Sequence, residues 1–266
     1  MTPVRLNPSP REKLWGKTRL MPWFPDVENA IGEVWFLCEQ DLPLLVKLLF
    51  TSDRLSIQVH PDDGEDGPRG KTEMWHIVEA EPGAVIALGF REPLTRERLR
   101  EACAGEVESL LNWMPVRAGE TYFTPAHTVH AIGPGIVLWE IQQNSDVTYR
   151  LWDYGRPRPL HIDQAAPISD LGVHPGAAKP APISESHTEL VRCRHFTTEL
   201  VRLQADSRHT PAPEECQLWI CLEGRGSIGG ETFQAGDVWL LPRESRQPAI
   251  CPAAPARFLR TYVPAA

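Results

Sequence analysis

Three short stretches of this chain carry side chains able to hold a metal ion, and each sets them at strand spacing. In Ser56-Ile57-Gln58-Val59-His60-Pro61, the alternation of a strand turns Ser56, Gln58 and His60 to one face and Ile57 and Val59 to the other. The apolar pair can pack. The polar trio must line a wet cavity or bind something, because unpaired buried polar groups are costly. In Gly70-Lys71-Thr72-Glu73-Met74-Trp75-His76, Lys71 and Glu73 share a face and His76 takes the opposite one, so His76 reads as an ordinary packed histidine. In Pro125-Ala126-His127-Thr128-Val129-His130, His130 opens a strand after a tight turn and is the better ligand candidate, while His127 sits in the turn with no role assigned.

Gln58, His60, Glu73 and His130 together offer one amide oxygen, two imidazoles and one carboxylate. Such nitrogen and oxygen donors without thiolates suit Zn²⁺ and leave positions free for water or substrate. The same donor types also serve Mn²⁺ or Fe²⁺. A fourth stretch, Asp146-Val147-Thr148-Tyr149-Arg150-Leu151-Trp152, alternates Asp146, Thr148 and Arg150 onto one face. An arginine on a cavity face is expensive unless it meets an anion or a reacting oxygen. Glu140 and Gln142 lie upstream on a strand of the same alternating kind.

These residues need strands to hold them, and the sequence supplies them. Strand-like runs begin at Gly32 and include GEVWFL, LPLLVKLLF, RLSIQVHP, TEMWHIVEA and AVIALGF. The run from Leu42 to Phe50 is nearly continuous apolar, which suits a strand buried on both faces. Strands return from 115 to 155 and again over 187–264. Residues 94–112 form the clearest helical stretch, with Thr95 as N-cap, Leu94, Leu99, Cys103 and Val107 at roughly helical spacing, and Gly105 as a break. Residues 1–30 read as an extended arm. The prolines of residues 156–184 mark a loop-like boundary.

One internal echo shapes the fold assignment. AGETYFTPAHTVHAI (118–132) and AGDVWLLPRESRQPAI (235–250) share Ala-Gly-acid, strand residues, and a proline six positions after the glycine, at Pro125 and Pro242. Glu244 and Ser245 stand where the first copy has its histidine-bearing sequence. The echo predicts a duplicated β-domain whose second copy has no metal site. The first copy's Gly-x5-Pro-x4-His pattern resembles the second cupin motif, and cupins are double-sheet jelly rolls. The expected fold is mainly β: two cupin-like jelly-roll β-sandwich domains with a short helical insertion. Residues 1–156 form the metal-binding domain with its N-terminal arm, 157–186 a Pro-rich linker, and 187–266 a second domain lacking metal ligands.

Composition narrows the function. The 266 residues include 26 prolines and 9 tryptophans, favouring short strands joined by turns over long helices. A net charge of −8 argues against nucleic acid, whose binders need a basic surface. It does not exclude a small phosphorylated ligand, which one or two placed cations can bind. No apolar run is long enough for a membrane span, and the N-terminus has no apolar signal core. The expected location is therefore cytoplasmic. The six cysteines form no CxxC pair and read as buried free thiols.

The stretches PLLVKLLF…LSIQVHPDD, GKTEMWHI, TPAHTVHAIG and EIQQNSDVTYRLWDYGR resemble type I mannose-6-phosphate isomerase in its short bacterial form, in that family's order and at about its spacing. The resemblance covers residues 32–161 and fades after the Pro-rich linker. It implies a zinc cupin, with one Zn²⁺ per chain, that interconverts mannose 6-phosphate and fructose 6-phosphate through a cis-enediol. Position by position, it implies Gln58, His60, Glu73 and His130 as metal ligands and Arg150 as the active-site arginine. Ser56, Lys71, Glu140 and Asp146 fall on positions that contact or orient the sugar phosphate. Lys71, Glu140 and a metal-bound water are candidates for the proton shuttle. One departure stands out: longer members carry a histidine directly before the lysine, and here that place is Gly70. Two rival readings are a metal-dependent cupin isomerase for another sugar phosphate and a metal-free sugar-binding cupin. Oligomeric state, monomer or homodimer, is not legible in the sequence.

Overall fold

Side-chain alternation dictates the layering of this protein. The computed structural model describes residues 2–241, 243 and 247–264. Pro242, Glu244 and Ser245, the later part of the second sequence echo, lie outside the described residues. The first half runs β1 (Val4–Arg5), β2 (Asn7–Lys17), β3 (Ile31–Leu37), β4 (Leu44–Phe50), β5 (Ile57–Val59), β6 (Glu73–Ala80), β7 (Val85–Phe90), α1 (Arg96–Ala102), α2 (Val107–Leu110), β8 (Leu111–Pro115), β9 (Thr121–Thr124), β10 (His130–Ile132), β11 (Ile136–Gln143), β12 (Tyr149–Trp152) and α3 (Ile162–Ile168). The second half runs β13 (Ala181–Pro182), β14 (His187–Arg192), β15 (Thr197–Leu203), β16 (Glu215–Glu223), β17 (Arg225–Ile228), β18 (Glu231–Gln234), β19 (Val238–Leu241), β20 (Ile250–Pro252) and β21 (Ala256–Val263).

Four sheets result, and the named strand pairs within them are all antiparallel. A six-stranded sheet (β2-β3-β4-β11-β6-β9) faces a five-stranded one (β12-β5-β10-β7-β8), making the first sandwich. A seven-stranded sheet (β1-β19-β16-β21-β15-β14-β13) and a three-stranded one (β18-β17-β20) make the second. The N-terminal residues are therefore strands, and β1 crosses to pair with β19 in the second sandwich.

The six- and seven-stranded sheets pack face to face, and this explains the apolar run of β4. Leu44, Val46, Leu48 and Phe50 join Trp139 and Ile141 of β11 against Leu218 and Ile220 of β16 and Leu259 of β21. The opposite face of β4 looks into the first sandwich, where Leu49 packs with Trp75, Ile77 and Leu138. Both faces are covered, as a continuous apolar strand requires. On the far side of the five-stranded sheet, Ile57, Val59, Ala131 and Leu151 are covered by Leu99 and Ala102 of α1 and Ala165 and Ala166 of α3.

Thr95 caps α1, its side chain accepting from Arg98 N, and the helical stretch breaks at Gly105 (φ 141°). Two elements differ from the sequence reading. The helix ends sooner, and Leu111–Pro115 is a strand pairing with β7. The Pro-rich segment holds the helix α3, although Pro167 lies inside it. The echo is structural where it is described: Gly119 and Gly236 both adopt positive φ (89° and 90°). Each is followed by an acid that caps the turn, Glu120 accepting from Arg117 N and Asp237 from Gln234 N. Only glycine enters that backbone region without strain.

Candidate metal and substrate site

The strand register brings separate segments to one point inside the first sandwich. His130 of β10 and Arg150 of β12 both lie opposite Gln58 of β5, on either side of it. Glu73 opens β6 on the facing sheet, next to β11, which carries Glu140 opposite Trp75. Inward-pointing residues of both sheets line a cavity of about 100 Å³ that includes Ser56, Gln58, Glu73, His130, Glu140 and Arg150. Lys71, Asp146 and Thr148 also line it.

His60 Nδ1 donates to Val147 O (2.9 Å) and His130 Nδ1 to Thr128 O (2.8 Å). A carbonyl can only accept, so each imidazole carries its proton on Nδ1 and turns the Nε2 lone pair inward. Both Nε2 atoms lie 3.6 Å from the Glu73 carboxylate, His60 from Oε2 and His130 from Oε1. Glu73 Oε1 is buried and has no hydrogen-bond partner among the described residues. The inward lone pairs are met by donors: Lys71 Nζ at 3.0 Å from His60 Nε2 and Gln58 Nε2 at 3.2 Å from His130 Nε2. Two imidazole lone pairs and an orphaned carboxylate oxygen fit a cation, and fixing the other imidazole nitrogen on a carbonyl is the usual support for a metal-ligating histidine. Among the described residues, His60, Glu73 and His130 form a buried group able to hold a metal ion.

Gln58 sits beside them with Oε1 accepting from Ser56 Oγ (2.9 Å) and its amide nitrogen toward His130. Its oxygen faces away from the group, so coordination by Gln58 requires the amide to turn over, with Nε2 then donating to Ser56. Lys71 Nζ bonds Glu73 Oε2 at 2.7 Å and lies 4.0 Å from Glu140 Oε1. Glu140 is held by Lys47 Nζ (3.1 Å) and Trp75 Nε1 (3.3 Å). Arg150 lines the cavity, and its Nε is buried with no hydrogen-bond partner among the described residues. Gln142 turns away to the backbone oxygens of Gln143 and Ser145.

Burial and charge set the protonation states. Burial pushes His130 down to about 4 and His60 well below its ordinary value, keeping both neutral. Burial raises Glu73 to about 7, against the pull of Lys71. For Glu140 burial works upward, but Lys47 and Lys71 outweigh it and hold it at about 2. Lys71 is itself desolvated, yet Glu73 and Glu140 keep it above its ordinary range.

The sequence reading missed Lys47, Lys13 and Arg158, all of which line the cavity. Lys47 had a signal: one charge in a run of buried apolar residues must face a partner. Arg158 is clamped to Asp153 by two bonds of 2.6 and 2.7 Å. Gly70 has a steric reason: a Cβ there would stand 2.6 Å from the Asp62 backbone. A histidine does not fit at that place. His127 lies outside the cavity, its Nε2 2.7 Å from Glu65. A larger cavity, about 550 Å³, lies at the seam of the two sandwiches, has mostly apolar walls, and contains none of the candidate site residues.

His76 packs on the opposite face from Glu73, buried, with Nδ1 3.0 Å from Thr121 Oγ1. Burial, with Arg257 adding to it, lowers His76 to about 4 from 6.5. A histidine depressed in the folded state contributes stability above its unfolded pKa, and loses it as pH falls through the folded one. The stability advantage of the wild type over His76→Asn is therefore expected to shrink between about pH 6.5 and pH 4. Urea midpoints of the two proteins across that range check this, since other groups cancel in the difference.

No family model matches the chain. Curated relatives do. Mannose-6-phosphate isomerase of Streptococcus mutans is 37% identical over 217 residues, covering 75% of this chain and 68% of the relative. Mannose-6-phosphate isomerase ManA of Bacillus subtilis is 34% identical over 221 residues, covering 75% and 69%. The crystal structure of the Bacillus subtilis mannose 6-phosphate isomerase superposes with a TM-score of 0.87 at 25% identity, over 99% of this chain and all of that one. A mannose 6-phosphate isomerase solved with zinc and yttrium has the same fold, with a TM-score of 0.79 at 17% identity. Among the described residues no helix is long and apolar enough to cross a membrane. A relative above one-third identity over most of its length, and a buried His/Glu/His group inside the matching jelly roll, lead to one assignment: this chain belongs to the mannose-6-phosphate isomerase family.

Proposed function

We propose that the chain interconverts mannose 6-phosphate and fructose 6-phosphate, with one Zn²⁺ held by Gln58, His60, Glu73 and His130. The observation that carries this reading is the convergence of two imidazole lone pairs and the unpartnered Glu73 Oε1 beside Lys71 and Arg150. When bound, zinc supplies Lewis-acid polarisation of the sugar oxygens. Lys71 gives up its bond to His60 Nε2 in that state and keeps the one to Glu73.

The protein's own groups divide the remaining work. Lys71 stays charged and donates to a sugar oxygen. Glu140, ionised and anchored by Lys47, accepts from a sugar hydroxyl and stands ready to take a proton. The Arg150 guanidinium belongs to a residue that lines the cavity, and it stabilises negative charge on the enediol oxygens. Ser56 and Asp146 orient the sugar. Arg158 and Lys13, cations that line the same cavity, suit the phosphate, whose binding holds the reacting carbons in place. Lining cations and anions nearly balance once Arg158 is counted with Asp153, so the cavity would accommodate a resident dication and a phosphate dianion without a large uncompensated charge.

A turnover assay on mannose 6-phosphate tests the reading. Activity is expected to vanish on chelation and return with Zn²⁺, and other sugar phosphates are expected to be turned over far more slowly. Full turnover after verified metal removal overturns the metal role. Preference for another sugar phosphate overturns the substrate.

A further inference from the structure

The loop between the first two ligand-bearing segments closes on itself. Lys71 N donates to Pro61 O (3.0 Å), and Gly70 N donates to Asp63 Oδ1 (2.8 Å). Outside the loop, one buried side chain ties this closure to the sheet. Gln143, the last residue of β11 and 5% exposed, donates from Nε2 to the same Asp63 Oδ1 (2.8 Å). Its Oε1 accepts from Thr72 N (2.9 Å), and its own backbone N–H donates to Thr72 O (3.0 Å). A single amide thus grips both the segment that carries His60 and the segment that carries Lys71 and Glu73.

The third ligand segment joins through Thr72 and through the backbone of His60. Thr72 Oγ1 accepts from Ala126 N (3.2 Å), and His60 O accepts from His127 N (2.9 Å). A second acid of the loop is held from the second sandwich: Arg194 NH2, in the turn between β14 and β15, donates to both oxygens of Asp62 (2.6 and 2.7 Å). Arg194 is 64% exposed in its side chain, and an exposed ion pair stabilises little. The buried amide carries the greater weight, because losing it leaves Thr72 N and a carboxylate oxygen short of partners.

We propose that Gln143 is a positioning residue for the metal site, acting through Asp63 and Thr72 to fix the spacing between His60 and Glu73. This rests on the metal-site reading above. Gln143 does not line the cavity and touches none of the reacting groups; it acts on the backbone that presents them. Metal ligands are sensitive to such support: outer partners commonly change affinity by about 10–100-fold.

The test measures binding of Zn²⁺ and Co²⁺ alone to the full-length chain, by competition with a chromophoric chelator and by the visible spectrum of bound Co²⁺. Gln143→Leu keeps the approximate size and removes both side-chain bonds. It is expected to weaken metal binding by about 10–100-fold and to alter the Co²⁺ bands, with thermal stability recorded alongside. Asp63→Ala is expected to act in the same direction. Asp63→Asn keeps an oxygen that can accept from Gly70 N and Gln143, and is expected to stay near wild type. Asp63 is 44% exposed in its side chain, so its variants carry the test if Gln143→Leu does not fold. Folded Gln143→Leu and Asp63→Ala proteins with wild-type affinity and Co²⁺ bands overturn the proposal alone. A wild-type chain that binds neither metal overturns the metal-site reading and this inference with it.

Discussion

His130→Ala is expected to abolish metal binding and turnover together. His130 is 2% exposed, opens β10 opposite Gln58, and is fixed by its Nδ1 bond to Thr128 O. Its Nε2 stands 3.6 Å from the one carboxylate oxygen in the group that has no other partner. Alanine removes one imidazole from the inward-facing set and leaves a hole against the edge of Trp75, whose ring lies 5.4 Å away. Losing an outer partner of a metal ligand already costs about 10–100-fold in affinity, so losing a ligand is expected to cost more than about 100-fold. Metal content after gel filtration and turnover of mannose 6-phosphate are the two readouts. A variant that keeps stoichiometric metal and normal turnover removes His130 from the ligand set, whatever the other three residues do.

The site was legible wherever strand alternation alone decides the geometry. Ile57 and Val59 pack under the helices while Ser56 and Gln58 face the cavity, as a period of two requires. Glu73 and His76 separate to opposite faces for the same reason. What alternation cannot give is which strands pair. That Gln58 lies between His130 and Arg150 is a fact of register, set by long-range packing that no local pattern encodes. Lys47, the one charge in an apolar run, signals a partner, but which residue that is, Glu140 on the neighbouring strand β11, is again a fact of register. Gln143 was hidden differently. It looks like a second glutamine after Gln142, and only the closed loop places Asp63 within 2.8 Å of it.

The misread elements have local causes. Leu111–Pro115 continues the apolar pattern of α2, but its residues pair with β7 in the sheet, so tertiary hydrogen bonding overrides the helical reading. Helix α3 was masked by prolines, since Pro167 interrupts the intrahelical ladder. Its Ala165 and Ala166 are fully buried against the five-stranded sheet, and that burial holds the short helix where propensity would not.

Arg150→Ala is expected to keep the metal and lose the chemistry, which separates it from His130→Ala. Arg150 lies in β12 beside Gln58, and none of His60, Glu73 and His130 is among its hydrogen-bond or ion-pair partners. Its backbone is held independently of its side chain, with Arg150 N donating to His161 Nδ1 (3.1 Å) and His161 N to Arg150 O (2.7 Å). The strand therefore survives the truncation. In the folded protein the guanidinium is a liability: Nε is buried without a partner among the described residues, and burial with the nearby Arg158 lowers its pKa. An unsatisfied buried donor costs about 1–3 kcal/mol, so its removal is expected to leave thermal stability unchanged or raised. Turnover moves the other way. A donor aimed at developing negative charge is worth on the order of 10²–10³ in kcat, and Arg150→Ala is expected to lose about that factor, with metal content intact. Arg150→Lys keeps a charge but not the planar fork, and is expected to recover only part of the loss. A retained kcat in Arg150→Ala assigns the residue to packing, whereas a fall in metal content equal to that of His130→Ala makes it a support of the metal site.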